Sequence, residues 1–136
     1  MGVLRRTALA LALVLALLAV ARAEEADIDL ASVSDTLALA QLSRIYAEPW
    51  DYIGAIIRVR GTLGVCATAG GGENSLVTVR DAAGCCGQSI EFVPRQGDGN
   101  GPKVGDAVIV IGRFEVYQEE DHAFVRLADA QVWRVP

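Results

Sequence analysis

Three residues in this 136-residue chain stand out as able to do chemistry: Cys66, Cys85 and Cys86. The count is odd, so at least one sulfur has no bridging partner within a single chain. Cys85 and Cys86 are adjacent and lie between Gly84 and Gly87, with Asp81 shortly before them and Glu91 shortly after. Thiolates are soft donors that suit Zn²⁺ or Cu⁺, and Asp81 or Glu91 could add an oxygen. His122 is the only histidine. No CxxC spacing and no second imidazole reinforce a metal reading. Three fates for the sulfurs stay open. A vicinal Cys85–Cys86 bridge is strained. Its flanking glycines permit the unusual backbone it needs, and strained bridges are the easily reduced ones. A bridge from Cys66 to Cys85 or Cys86 is the second fate. A metal site is the third, with Cys85, Cys86, Asp81 and Glu91 as its first candidates and Cys66 and His122 as secondary ones. Beside all three stands the plain reading: cysteine in a core is often inert, and a histidine in a polar turn is usually just solvated.

Other constellations are thinner. No Ser-His-Asp set is readable, and one histidine gives general-base catalysis little to work with. Gly70-Gly71-Gly72 has no Lys-Ser/Thr after it, so it is not a phosphate-cradling loop. Glu119-Glu120-Asp121 reads as a solvated hairpin tip. Trp50, Tyr52, Tyr117 and Trp133 could in principle stack bases. Thiol-disulfide exchange is the least unlikely enzymatic activity, and it wants a low-pKa cysteine beside a cation; Arg80 is the nearest one.

The elements that must position these residues are mostly strands. Ser34-Asp35 offers an N-cap, and Leu39, Leu42 and Tyr46 recur at helical spacing, which predicts a helix over 35–47 that Pro49 ends. From Tyr52 the period changes to two. Ile57, Val59, Gly61 and Leu63 alternate with Arg58, Arg60 and Thr62 in a first strand, and Gly61 marks a bulge or bend in it. A glycine-rich loop at 69–74 follows. Strands are expected at 75–80, 89–93, 106–117 and 123–135, the last with a phase break near Ala128-Asp129. The turn 81–87 holds the cysteine pair, 94–105 is a polar loop and 118–122 a hairpin turn.

One helix followed by five strands, two of them long, is an all-β chain with an N-terminal helix. Antiparallel strands must close or cover their edges. A five-stranded OB-like β-barrel does so most economically; a small sandwich is the other solution. The helix usual between the third and fourth strands is replaced by a loop, and the N-terminal helix is free to plug an end. In such a barrel the first strand ends on the rim opposite the cysteine turn. Nine extended residues span roughly 30 Å, well beyond the reach of a disulfide, whose Cα atoms lie within about 7 Å. The same barrel places the turn of His122 nearer Cys66 than Cys85.

Particular segments carry a resemblance. Tyr52-Ile53-Gly54-Ala55-Ile56-Ile57-Arg58-Val59-Arg60-Gly61 resembles the first strand of exported bacterial OB-fold proteins, and Val104 to Gly112 their fourth. Arg80 to Val93, with Asp81-Ala82-Ala83-Gly84-Cys85-Cys86-Gly87-Gln88-Ser89-Ile90-Glu91-Phe92, is similar to a segment of small exported bacterial proteins carrying Asp-Ala-x-x-Cys-Cys-x-x-x-Ile-Glu-Phe. Their helix end is similar to Glu48-Pro49-Trp50-Asp51-Tyr52-Ile53-Gly54. A looser likeness is to an exported OB-like domain of permease-associated proteins with Cys-Cys near an Asp, which implies zinc supply. There the cysteines precede the acid, whereas here Asp81 comes first.

The first 23 residues read as an address. Arg5 and Arg6 precede the apolar run Ala8–Val20, and Ala21-Arg22-Ala23 is a small-x-small cleavage site. This is the pattern of a secretory signal peptide, and the run is shorter than the ~20 residues a spanning helix needs. Cleavage near Ala23 would leave a flexible acidic lead-in at 24–34 and a domain at 35–136, with no membrane anchor. Outside the cytoplasm a disulfide is a common fate for cysteine. Cleavage would also remove Arg5, Arg6 and Arg22, leaving nine of the 12 basic residues against all 17 acidic ones, a formal net charge of −8. That charge disfavours nucleic acid and favours cations, either metal ions or basic protein surfaces.

The sequence therefore predicts a periplasmic or secreted, non-enzymatic binding module. Its working segment is Cys85-Cys86, binding a soft metal ion such as zinc or switching thiol state. The alternative is an interaction domain that binds a peptide, protein or glycan through the loops 67–74 and 118–122.

Overall fold

The computed structural model describes residues 25–95 and 100–136. The expected signal peptide lies outside the described residues. In chain order the elements are β1 (Ile28–Asp29), α1 (Asp35–Ala47), a 3-10 turn (Pro49–Tyr52), β2 (Ile56–Ala67), β3 (Glu73–Arg80), β4 (Gly87–Pro94), β5 (Ala107–Glu119) and β6 (His122–Arg134). Strand alternation sets the core. Ile57 and Val59, Val77 and Val79, Ile90 and Phe92, Val108, Val110 and Phe114, and Leu127 point inward and are almost fully buried. Each such side chain contributes about 1.5–3 kcal/mol on leaving water.

The ladders run β2–β3–β4–β6–β5 and then return to β2, so the sheet curls into a ring. β2 makes this possible by serving two partners. Residues 56–62 pair with β5 and residues 62–67 with β3. The handover sits at Gly61, where a Cβ would lie 2.4 Å from the carbonyl oxygen of Thr78. Only glycine lets the two backbones cross so closely. The opposite seam, β4 with β6, is parallel and short: Glu91 faces Arg126 and Phe92 faces Leu127, with a slip before Pro94 meets Ala130. The phase break expected near Ala128-Asp129 is present. The β5–β6 register shifts between Ile111 and Arg113, and Asp129 takes a φ of 49°, held by an ion pair with Arg95 at 2.8 Å.

Helix α1 begins at the expected cap, with the Leu37 N–H donating to Ser34 Oγ at 3.3 Å. Ala38, Leu42 and Ile45 form its buried stripe, which packs against β3 and β4. The Tyr46 hydroxyl donates to the Ser89 carbonyl at 2.7 Å, which fixes the helix beside the start of β4. The lead-in expected to be flexible is partly docked. Ile28 and Asp29 pair in parallel with Ile57 and Arg58, Leu30 N–H donates to Arg58 O at 2.8 Å, and Leu30 is 1% exposed. The physical reason is an open edge: along 56–58, β2 has β5 on one side only, and β1 satisfies the other. Among the described residues, no helix is long and apolar enough to cross a membrane.

Candidate functional site

The cysteine pair sits on the turn between β3 and β4, just past their last rung, Arg80 opposite Gly87. Backbone bonds close the turn. Asp81 N–H donates to Cys86 O at 2.9 Å, and Gly84 N–H donates to Asp81 O at 3.0 Å. Gly84 has a φ of 71°, a conformation in which a side chain would be strained. The bend this produces brings both cysteines back toward Asp81. The carboxylate works as an Asx-type brace: its Oδ1 accepts the N–H of Cys85 at 3.1 Å and that of Cys86 at 3.5 Å.

The donor atoms converge. Cys85 Sγ is 3.4 Å from Asp81 Oδ2 and 3.8 Å from Cys86 Sγ, and one ligand atom from each of the three residues lies within 4.8 Å of the others. Adjacent side chains diverge on an extended strand; the turn removes that obstacle. All three cysteines are free thiols, and Cys85 and Cys86 are exposed. The Cys85 thiol donates to Asp81, and this bond, with a further one to Cys86 and the carboxylate's charge, pushes its pKa up. The same bond, opposed by desolvation and helped by the backbone N–H groups of Cys86, Cys85 and Gly84, holds Asp81 below the ordinary carboxylate range.

The remaining sequence candidates lie elsewhere. Glu91 is part of another cluster: it accepts the Tyr117 hydroxyl at 2.9 Å. Five residues along β4 carry it away from the turn, and its place between the inward-facing Ile90 and Phe92 puts it on the outer face of the sheet. Cys66 faces Asn74 across the β2–β3 ladder, six residues up β3 from Arg80, or about 20 Å at the strand rise. A bridge from Cys66 to the turn is out of reach in this fold. His122 needs a correction. Because β4 and β6 run parallel with Glu91 opposite Arg126, Gly87 and His122 each precede that rung by four residues. His122 therefore belongs to the cysteine rim, not that of Cys66. It still stands outside the donor group, its ring 6.4 Å from that of Phe124.

The sequence reading missed the cluster around Glu91. Tyr117 and Phe124 stack with centroids 5.6 Å apart. The Arg126 guanidinium lies 4.4 Å over the Tyr117 ring and pairs with Glu115. Burial, the hydrogen bond to Glu91 and its charge push the Tyr117 phenol up to about 12. The available signal was the alternation that puts Glu115 and Tyr117 on one face of β5 and Phe124 and Arg126 on one face of β6. On the opposite rim, a cavity of about 720 Å³ opens between Leu63, Phe92, Pro102 and Val132, with Lys103 at its edge. No protein-family model and no curated protein matches this chain. The functional reading therefore rests on the site's own chemistry.

Proposed function

We propose that this protein is an exported, periplasmic, non-enzymatic binding module that holds a zinc ion on Asp81, Cys85 and Cys86, and that its curled ring is an OB-like β-barrel plugged by α1. The donor spacing carries the reading. A tetrahedral zinc with bonds of about 2.3 Å to sulfur and about 2.0 Å to oxygen sets S···S edges of about 3.8 Å and S···O edges of about 3.5 Å. The turn holds 3.8 Å and 3.4 Å. Two sulfurs with one carboxylate suit a borderline ion such as Zn²⁺ better than Cu⁺, which prefers sulfur alone, or Mg²⁺ and Ca²⁺, which prefer oxygen. Thiol-disulfide catalysis is disfavoured, because the raised Cys85 pKa works against a reactive thiolate. A thiol switch uses the same two sulfurs: an external disulfide that accepts their two electrons and two protons, and is itself reduced to thiols, would join them as a vicinal bridge and remove both donors from the ion.

The test is zinc titration of the reduced protein against a chromogenic chelator. One zinc per chain is expected. The Cys85→Ser/Cys86→Ser protein should stay folded and lose the ion, and at a hundred times the dissociation constant zinc should stabilise the native protein by about 2.7 kcal/mol. Because both thiols must shed protons to bind, affinity should fall as pH falls. A double variant that binds zinc as well as the parent would refute the assignment.

A second reading is favoured by the stacked pair. Tyr117 and Phe124, with Arg126 over the ring, flank the 118–122 hairpin, and Phe124 is 43% exposed. This is a surface on which a peptide or sugar ring could stack. The Phe124→Ala protein losing binding to a peptide or glycan array, with zinc uptake intact, would support it.

A further inference from the structure

Resting on the zinc reading, we infer that the turn is a transfer site: it gives up its ion to an acceptor thiolate that enters through the fourth coordination position. Structural zinc sites are closed by four protein donors, whereas sites that react or exchange keep one position open. The described residues bring three donors together here. Glu91 is engaged with Tyr117, Cys66 is on the far rim, and His122 stands apart.

The surroundings fit approach by another molecule. The other residues of the turn, Ala82, Ala83 and Gly84, and Gly87 after it, are all exposed. Apart from the Arg80 stem against Gly87, nothing in the turn longer than a methyl group stands beside the donors. A Cβ at Gly84 would meet nothing within 4 Å. A site built to retain its ion would be walled by larger side chains that exclude water. The frame also survives the loss of one ligand. Asp81 is fixed by the backbone N–H groups of Cys85 and Cys86, and the turn by its own backbone bonds, so the donors stay in place for reloading.

The exchange balances. As the acceptor sulfur bonds to zinc, its thiol proton goes to solvent. As further acceptor donors bind, the zinc bonds to Cys85 and Cys86 break in turn and each thiolate takes a proton from solvent, while the bond to Asp81 breaks and leaves its carboxylate ionised. No electrons change hands. The acceptor class is a thiolate on a basic surface, since the exported chain, without Arg5, Arg6 and Arg22, would carry a formal net charge of −8 that attracts cations.

The experiment loads the reduced protein with one equivalent of zinc and mixes it rapidly with increasing concentrations of a small dithiol, reading zinc transfer. The rate is expected to rise in proportion to dithiol, doubling when the dithiol doubles. A rate independent of dithiol would mean that the ion leaves a closed site unaided, and would overturn the inference while leaving zinc binding intact. The His122→Ala protein should bind zinc as tightly as the parent. Weaker binding would put His122 in the fourth position, and two chains per zinc would put a second copy there; either overturns the inference. Failure to load zinc at all removes the zinc reading together with this one.

Discussion

Gly61→Ala should destabilise the fold far more than Gly64→Ala, three residues along the same strand. An alanine Cβ at 61 would sit 2.4 Å from Thr78 O and 2.9 Å from both Thr78 C and Val77 Cγ2. Carbon and carbonyl oxygen normally approach to about 3.3 Å, so β2 and β3 must part by nearly 1 Å at their first rung, Thr62 with Thr78. Overpacking of this kind costs about 1–3 kcal/mol. Losing one ladder hydrogen bond adds about 0.5–1.5 kcal/mol. Alanine's smaller entropy loss returns about 0.5–1 kcal/mol. The net loss is about 2–3 kcal/mol, a large share of the ~5–15 kcal/mol that holds a domain together. At Gly64 a Cβ meets nothing within 4 Å, so only the entropy gain remains and the variant should be about 0.5–1 kcal/mol more stable than the parent. Urea unfolding followed by circular dichroism reads both. With an m-value of about 1.5 kcal/mol/M, the Gly61→Ala midpoint should fall by about 1.3–2 M. Equal midpoints for the two variants would refute the claim that β2 changes partners through a backbone crossing at Gly61.

Two further outcomes follow from the packing. Leu30→Ala, in the docked lead-in, should cost about 2–4 kcal/mol by the same urea assay, as for any large-to-small change in a core; a loss below about 0.5 kcal/mol would mean that β1 is not part of the cooperative fold. Tyr46 is pushed up to about 12 by burial and the charge of Glu91, and Tyr117 likewise to about 12. A phenol whose folded pKa is raised contributes stability that is complete below its unfolded pKa and disappears as pH climbs to the folded one. Stability should therefore drop between pH of about 10 and about 12, less steeply in Tyr117→Phe, and phenolate absorbance should show two phenols ionising only near the upper limit.

What was legible in the sequence follows from periodicity. The 35–47 helix carries a 3.6-residue stripe and a serine cap, and five strands alternate clearly enough to place their inward faces. Gly61 and Ala128-Asp129 were readable as breaks because each interrupts a regular run. The pairing of Ile28-Asp29 was not, since two residues have no period and their partner edge exists only once the ring is formed. Asp81 could be grouped with the cysteines because they share one turn, where local backbone geometry decides. Glu91 could not be correctly placed, because its surroundings are set by register across β3, β4 and β6. The His122 rim was misjudged for a related reason: it depends on the parallel seam between β4 and β6, which no local pattern encodes.

The order of ladders divides the molecule in a way that its strand list conceals. β2, β3 and β4 form a meander, while β5 and β6 form a hairpin of eleven residue pairs. The two meet only along β2–β5 and β4–β6, and the chain joins them once, between Pro94 and Ala107. A break at Gly101 would therefore yield two pieces, each keeping its own antiparallel bonds, that should reassemble without a covalent link. The Asp81–Cys86 turn travels whole with the first piece. Whether the ring is closed then becomes separable from whether the donors are present, which makes the protein a natural candidate for fragment complementation with zinc as the reporter.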